Sequence, residues 1–374
     1  MQLSAKIALT WDLFRALAAF RRGGDPENLL VVRLDGFGDF ALYLPYALAL
    51  RELYPRGRYR LTLCANADWC EVAEKLLPFD DFIPLEVRRY MTDYPCRRSM
   101  NSRLAAGRFG GLIQPRFFRE PFLEDRLTIA AGCGGAAFAV TPAHLQPRIA
   151  MSLEKRLYAP RISCPVGMHE AAKNRKFLES LGWDGVFPPR PELPPPPAPW
   201  RAGEYAVLLP GSGKGARGAF PPERWGKVLA DVKCPIAVAG SETESEFVSA
   251  AAASLGDRAT PLAGRLSSVE FAGLLARAAL VVGNDTGGIH FAAWCGVPAL
   301  AVAGGGHPGC YYPYPAEVPE YVLPPRFVTA ECPQAGCRWQ CRRSKSGIFP
   351  CIADVTAESV AAGLRRLLAE QSIK

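Results

Sequence analysis

Leu29–Phe40 reads LLVVRLDGFGDF: an apolar run, two close glycines, then a carboxylate. Gly36, Gly38 and Ala41 satisfy the G-x-G-x-x-A spacing that follows the first strand of a dinucleotide-binding unit. Such a unit also needs an acidic residue about 20 positions on, at the end of the second strand, to hold ribose hydroxyls. Here that strand ends LTLCAN, and no carboxylate comes before Asp68. Asp39 stands directly behind Gly38, where an incoming pyrophosphate would meet a like charge. The stretch therefore opens an α/β unit without being a nicotinamide site. A carboxylate at this place has two uses: capping the free N–H groups of the next helix, or accepting a proton from a bound hydroxyl as general base.

Outward from this stretch, apolar strands alternate with helical segments. LLVVRL precedes FALYLPYALALRELYP, YRLTLCA precedes DWCEVAEKLL, and GGLIQP follows an arginine-rich segment. In the second half YAVLLPG, PIAVAGS, ALVVGND and PALAVAGGG each end at a loop, the first three leading into helices. Continuous apolar strands separated by helices predict parallel sheets covered on both faces. Eight prolines in the twelve residues PPRPELPPPPAP, Pro188–Pro199, form an extended spacer that neither helix nor sheet interior tolerates. The reading is an amino-terminal domain over 1–190, a linker over 191–200, and a carboxyl-terminal domain over 201–374 closed by the amphipathic helix TAESVAAGLRRLLAE. Two doubly wound Rossmann-like domains facing a cleft would bind ligands where strands end.

The 374 residues suffice for two domains, and 49% apolar against 21% charged is the composition of a globular chain. No apolar run reaches the roughly 20 residues of a membrane-spanning helix. The amino end, KIALTWDLFRALAAFRR, lacks a signal peptide's uninterrupted apolar centre, because Asp12 and Arg15 break it. It reads as an amphipathic helix, packed on the first domain or lying on a membrane surface. Net charge is +8. Nine arginines and no lysine stand between Arg88 and Arg126, which suits forked recognition of phosphate or carboxylate and equally suits a solvated basic face. Twelve cysteines without a signal peptide point to a reducing compartment.

In the second half, VVGNDTGGIHFAAWCG places Asn284, Asp285, Thr286, Gly287 and Gly288 between strand and helix. Free N–H groups and the positive end of the helix dipole there suit a diphosphate, with His290 one turn further on. LLPGSGKGARGAF fails as a P-loop: Leu208 stands where its first glycine belongs and Gly215 where Ser or Thr should follow the lysine. Its glycines, with Ser212, Lys214 and Arg217, still suit phosphate oxygens.

RLDGFGD, LLPGSG…FPPERW and VGNDTGGIHFAAWCGVPALAVAGG, in this order and spacing from about Asn28 to Pro315, resemble the family 9 glycosyltransferases, the heptosyltransferases of lipopolysaccharide core assembly. The resemblance implies a GT-B fold, acceptor on the first domain and nucleotide sugar, usually ADP-heptose, on the second, with inverting transfer that requires no metal or other cofactor. It makes Asp39 the catalytic base, with Gly38 and Arg116 on the acceptor side. It puts the donor on Asp285, Thr286, Gly287 and His290, its ribose on Glu242, and its phosphates near Ser212, Lys214 and Arg217. Partners implied are a nucleotide-sugar donor and an anionic glycan or glycolipid acceptor, with no nucleic acid. The expected location is the cytoplasm, including the inner face of the inner membrane.

The chain departs from the pattern at Gly218, where the family has a lysine facing the leaving diphosphate, and at His307, where an aspartate is usual. Cys332, Cys337, Cys341 and Cys351 could hold zinc or iron through four thiolates, or stay reduced or disulfide-paired, since the C-x-x-C knuckle is absent. A non-catalytic nucleotide-sugar-binding protein of envelope assembly and a transferase acting on protein or neutral glycan are the competing readings, with a nicotinamide oxidoreductase third.

Overall fold

The computed structural model describes residues 23–138, 154–344 and 347–372. The helix expected at the amino end lies outside them. Among the described residues the chain divides into two compact units. The first holds the residues up to Gly36 together with Tyr43–Val166 and Ala172–Pro189; the second holds Phe37–Leu42, Gly167–Ala171 and Arg190 onward.

The first sheet contains β1 (Asp25–Arg33), β2 (Arg60–Asn66), β3 (Asp81–Leu85), β4 (Phe109–Gln114), β5 (Gly135–Phe138) and β6 (Tyr158–Ile162), ordered β3-β2-β1-β4-β5-β6 and parallel throughout. Val31 lies beside Leu63 on one neighbour and Ile113 on the other. The second sheet contains β7 (Ala206–Leu209), β8 (Ile236–Val238), β9 (Ala259–Pro261), β10 (Leu280–Asn284), β11 (Ala299–Val302) and β12 (Arg326–Val328), ordered β12-β11-β10-β7-β8-β9. Counted from its own first strand, each sheet has the same doubly wound order. The crevices that this order creates open beyond β1 and β4 in one sheet and beyond β7 and β10 in the other.

The central strands are the apolar runs of the sequence, and burial on both faces is the reason: Leu30, Val31 and Val32, like Val281 and Val282, are fully enclosed. β3, β9 and β12 escape sequence reading. DFIPL carries Pro84, tolerated because β3 is an edge strand, and the other two are three-residue edges too short to show a period. Helix α1 (Phe37–Leu53) is buried along Phe40–Arg51 with no polar stripe, as an enclosed helix should be.

The proline-rich segment is extended, yet it is not a free spacer. Arg277 donates to the carbonyls of Leu193 (2.8 Å) and Pro194 (3.4 Å), and Gly273 leaves room for the Pro195 carbonyl, so the segment is fastened to the second unit.

Candidate functional site

In the first unit the carboxyl edge is built of buried charges. Arg33, 1% exposed, donates to Asp35 (2.8 Å), the Pro115 carbonyl (2.9 Å) and Asn174 (3.2 Å), and lies over the Tyr43 ring. Arg116, at the end of β4, is ion-paired with the fully buried Glu124. Burial pushes the Glu124 carboxyl up, against the pull of Arg116. Lys173 is buried over the Phe117 ring at 4.3 Å. Gln114 is fully buried: its Oε1 accepts from the Arg116 N–H, and its Nε2 has no hydrogen-bond partner among the described residues.

The arginine-rich segment thus separates into two populations. Arg97, Arg116, Arg119 and Arg126 serve the interior or are held by buried partners: Arg97 donates to the Tyr90 carbonyl, and Arg119 pairs with Asp125 at 2.9 Å. Arg88, Arg89, Arg98, Arg103 and Arg108 are exposed.

In the second unit the carboxyl edge is built of backbone and small residues. Asn284, 1% exposed at the end of β10, donates to the carbonyls of Pro210 (2.7 Å) and Gly211 (3.1 Å) and accepts from the Phe220 N–H (2.9 Å). One side chain therefore ties the loop after β7 to the loop after β10. Asp285 follows, then Thr286 as N-cap of α10 (Gly287–Trp294). Thr286 makes no side-chain cap, and its buried hydroxyl has no partner among the described residues. The first N–H groups of α10 have no intrahelical acceptor.

The start of α1 packs here. Gly38 lies against Gly287 so tightly that a Cβ on either residue would meet the other's backbone, at 3.0 Å from the Gly287 Cα and 2.6 Å from the Gly38 nitrogen. The N-cap of α1 is Gly36, and Asp39 stands in the first turn of that helix. Its carboxylate accepts from the Tyr311 hydroxyl at 3.4 Å.

His290 is 4% exposed. Its Nδ1 is 2.8 Å from the Tyr314 hydroxyl, its Nε2 is 3.6 Å from Asp285, and its ring stacks on Tyr312 and Tyr314. Burial and the Asp285 carboxylate push the Tyr312 hydroxyl well up. The tyrosines of CYYPYP, Cys310–Pro315, are residues that sequence reasoning missed; three tyrosines in four positions was the available signal.

The loop after β7 separates its two basic residues. Ser212 accepts from the Lys214 N–H at 3.2 Å, and a Cβ at Gly218 would meet the Lys214 Cβ at 2.7 Å and the Ser212 Oγ at 2.8 Å. A side chain at 218 would have to displace Lys214, which folds over that place. Arg217 turns the other way: it donates to the carbonyls of Ser344 (2.8 Å) and Gly347 (3.2 Å) and lies 4.4 Å over the Phe349 ring. Two of its three guanidinium nitrogens are thus engaged by the cysteine-rich stretch. Glu242 is exposed and leans over Gly264, whereas Glu244 faces Gly211 and Gly240 and closes a capping box with Ser241.

Cys332, Cys337, Cys341 and Cys351 are free thiols, and no three His, Cys, Asp or Glu side chains among the described residues are arranged to hold a metal. Cys351 is buried in the short helix α11 (Pro350–Ala353), where burial and the neighbouring Cys332 and Cys337 push its thiol up, and the Cys341 Sγ lies 3.9 Å from the Gln334 side chain.

Residues 191–332 match the sequence model of glycosyltransferase family 9 (heptosyltransferase). No curated protein sequence matches the chain. Among solved structures it is similar to ADP-heptose lipopolysaccharide heptosyltransferase II of E. coli, with 16% identity, TM-score 0.65, and 92% of this chain and 99% of that chain covered. E. coli heptosyltransferase WaaC with ADP-2-deoxy-2-fluoro heptose gives 19% identity, TM-score 0.63, and 91% and 99% coverage. The iron-containing dodecameric glycosyltransferase TibC of enterotoxigenic E. coli gives 14% identity, TM-score 0.56, and 94% and 81% coverage. These likenesses establish the GT-B fold, and the second unit carries the sequence match to glycosyltransferase family 9 (heptosyltransferase).

Proposed function

We propose that the chain transfers a heptose from ADP-heptose to a hydroxyl of an anionic glycan or glycolipid of the lipopolysaccharide core, with inversion, at the cytoplasmic face of the inner membrane. The observation that carries this reading is the contact of Gly38 with Gly287, which sets the residue after Gly38, a carboxylate, beside the uncapped start of α10. A base and a diphosphate seat are thus adjacent. Asp39 takes the proton of the acceptor hydroxyl, whose oxygen forms a bond to the anomeric carbon as the carbon–oxygen bond to the diphosphate breaks. The departing charge meets the α10 N–H groups, the Thr286 hydroxyl and Lys214, which act where negative charge develops. Tyr311 steers the Asp39 carboxylate. The ADP-heptose named with the solved relatives supports that donor, and the exposed arginines 88, 89, 98, 103 and 108 support an anionic acceptor. No helix among the described residues is long and apolar enough to cross a membrane.

The test is Asp39→Asn with ADP-heptose and a core acceptor. Turnover should fall by about 10²–10⁴, the usual worth of a positioned general base, while calorimetric affinity for ADP stays within about twofold. Wild-type turnover surviving the substitution would end the enzyme assignment of Asp39; no transfer by the wild type from any nucleotide sugar would end the reading as a whole.

A further inference from the structure

Two features of the chain do no work in the reaction above: the cysteine-rich stretch after β12 and the basic residue Arg217. The structure joins them. Residues 332–340 lie along the glycine loop that follows β11. The N–H groups of Gly336 and Arg338 donate to the carbonyls of Gly305 (2.8 Å) and Gly306 (2.9 Å). The Trp339 indole rests on Gly304 and Gly306, occupying the space a side chain at either would need. The other end of the stretch lies along the loop that follows β7. There Ser344 and Gly347 accept from Arg217, the Phe349 N–H donates to the Arg217 carbonyl at 2.8 Å, and the Phe349 ring covers the guanidinium. Phe349 and Trp339 then meet at 5.2 Å between ring centres, and the Lys214 ammonium stands 6.0 Å from the indole. Residues 345 and 346 lie outside the described residues and carry none of this.

The local backbone supports a built feature. Arg338 and Trp339 are consecutive non-glycine residues in the left-handed region, with φ of 52° and 64°. Such a conformation is strained for a residue with a Cβ and persists only where surrounding contacts over-determine it. Here they turn the indole down onto the glycines.

We infer that this stretch is a strap that fixes the separation of the loops after β7 and β11, with Arg217 and Trp339 as its two anchors. The inference rests on the reading of the loop after β7 as a donor-phosphate loop. Arg217 is on this account a positioning residue: it holds the loop that carries Lys214 without touching the phosphates. The strap also explains why arginine stands at 217. A lysine would replace a planar fork that donates to two carbonyls and stacks on a ring with a single point charge.

The experiment is a double-variant cycle read by calorimetric ADP affinity and by thermal unfolding of the full chain. Arg217→Ala and Trp339→Ala should each weaken ADP about tenfold. Because losing either anchor releases the same strap, the double variant should also lose about tenfold rather than about a hundredfold. Arg217→Lys, which keeps the charge, should behave like Arg217→Ala, and Trp339→Phe, which keeps a ring on the glycines, should recover most of the affinity even if Trp339→Ala lowers Tm. Additive losses, full affinity in Arg217→Lys, a Trp339→Phe variant as weak as Trp339→Ala, or wild-type ADP affinity in both single alanine variants would each overturn the strap. Failure of the wild-type chain to bind ADP is a different outcome: it removes the donor reading first, and the strap's role with it.

Discussion

The carboxyl edges of the two sheets have the same strand order and opposite furnishings. The first is lined by side-chain charge held below the surface: Arg33 with Asp35, Arg116 with Glu124, Lys173 on Phe117. The second is lined by glycine, by an uncapped helix start, and by one buried amide, Asn284, that ties its loops together. The two constructions would meet an anion differently. Backbone N–H groups at a helix start present fixed dipoles without a side chain to order, which suits a diphosphate common to every donor molecule. Buried arginines and lysine must first be neutralised by their own carboxylates, so their specificity comes from which of them a ligand can recruit.

The difference can be broken first at Arg116. Glu124 is fully buried, and removing Arg116 leaves its carboxylate without an ion partner, held by the Glu120 N–H at 2.8 Å; Arg116→Ala should cost about 3 kcal/mol of stability, visible as a lower urea midpoint at unchanged slope. The loss should shrink on acidification. Burial holds the Glu124 carboxyl above its ordinary value, so once Arg116 is gone the folded state gains from the neutral acid, a gain present in full below the ordinary carboxylate range and lost as pH rises through the raised value. A variant as stable as the wild type at neutral pH would show that the first edge does not depend on paired charge.

The second edge breaks through shape. Gly287→Ala puts a Cβ 2.6 Å from the Gly38 nitrogen, where backbone must give way; overpacking of this kind costs about 1–3 kcal/mol. ADP affinity should fall with it, because α10 must shift to fit the methyl. Thr286→Val sharpens the point with the smallest effect. The hydroxyl it removes has no partner among the described residues, so thermal unfolding should be unchanged or slightly later, while ADP weakens about three- to tenfold, the net worth of one ordinary hydrogen bond. Equal losses in stability and affinity would mean that Thr286 supports the fold and not the ligand.

The sequence determined the class of fold through its apolar runs. LLVVRL, AVLL and ALVVGN are continuous because both faces of a central parallel strand are covered, and that burial is written locally. It also determined where α10 begins, since the small residues of NDTGGIH admit a helix start with open N–H groups. It could not show that the two basic residues of the loop after β7 have different surroundings. Lys214 and Arg217 are three residues apart and chemically alike on paper; the tertiary structure separates them, because residues 344–349 return from more than a hundred positions away and take the guanidinium. Nor could it divide the arginines of residues 88–126 into buried and exposed, since pairing of Arg116 with Glu124, or of Arg119 with Asp125, depends on the turn that brings them together. Asp39 shows the same limit. Its neighbours on the chain allow a cap or a base equally, and only packing of Gly38 onto Gly287, with Tyr311 arriving from a distant loop, gives the carboxylate its surroundings. Burial periodicity is a local property of the chain; the partner of a charged side chain is chosen by the whole fold.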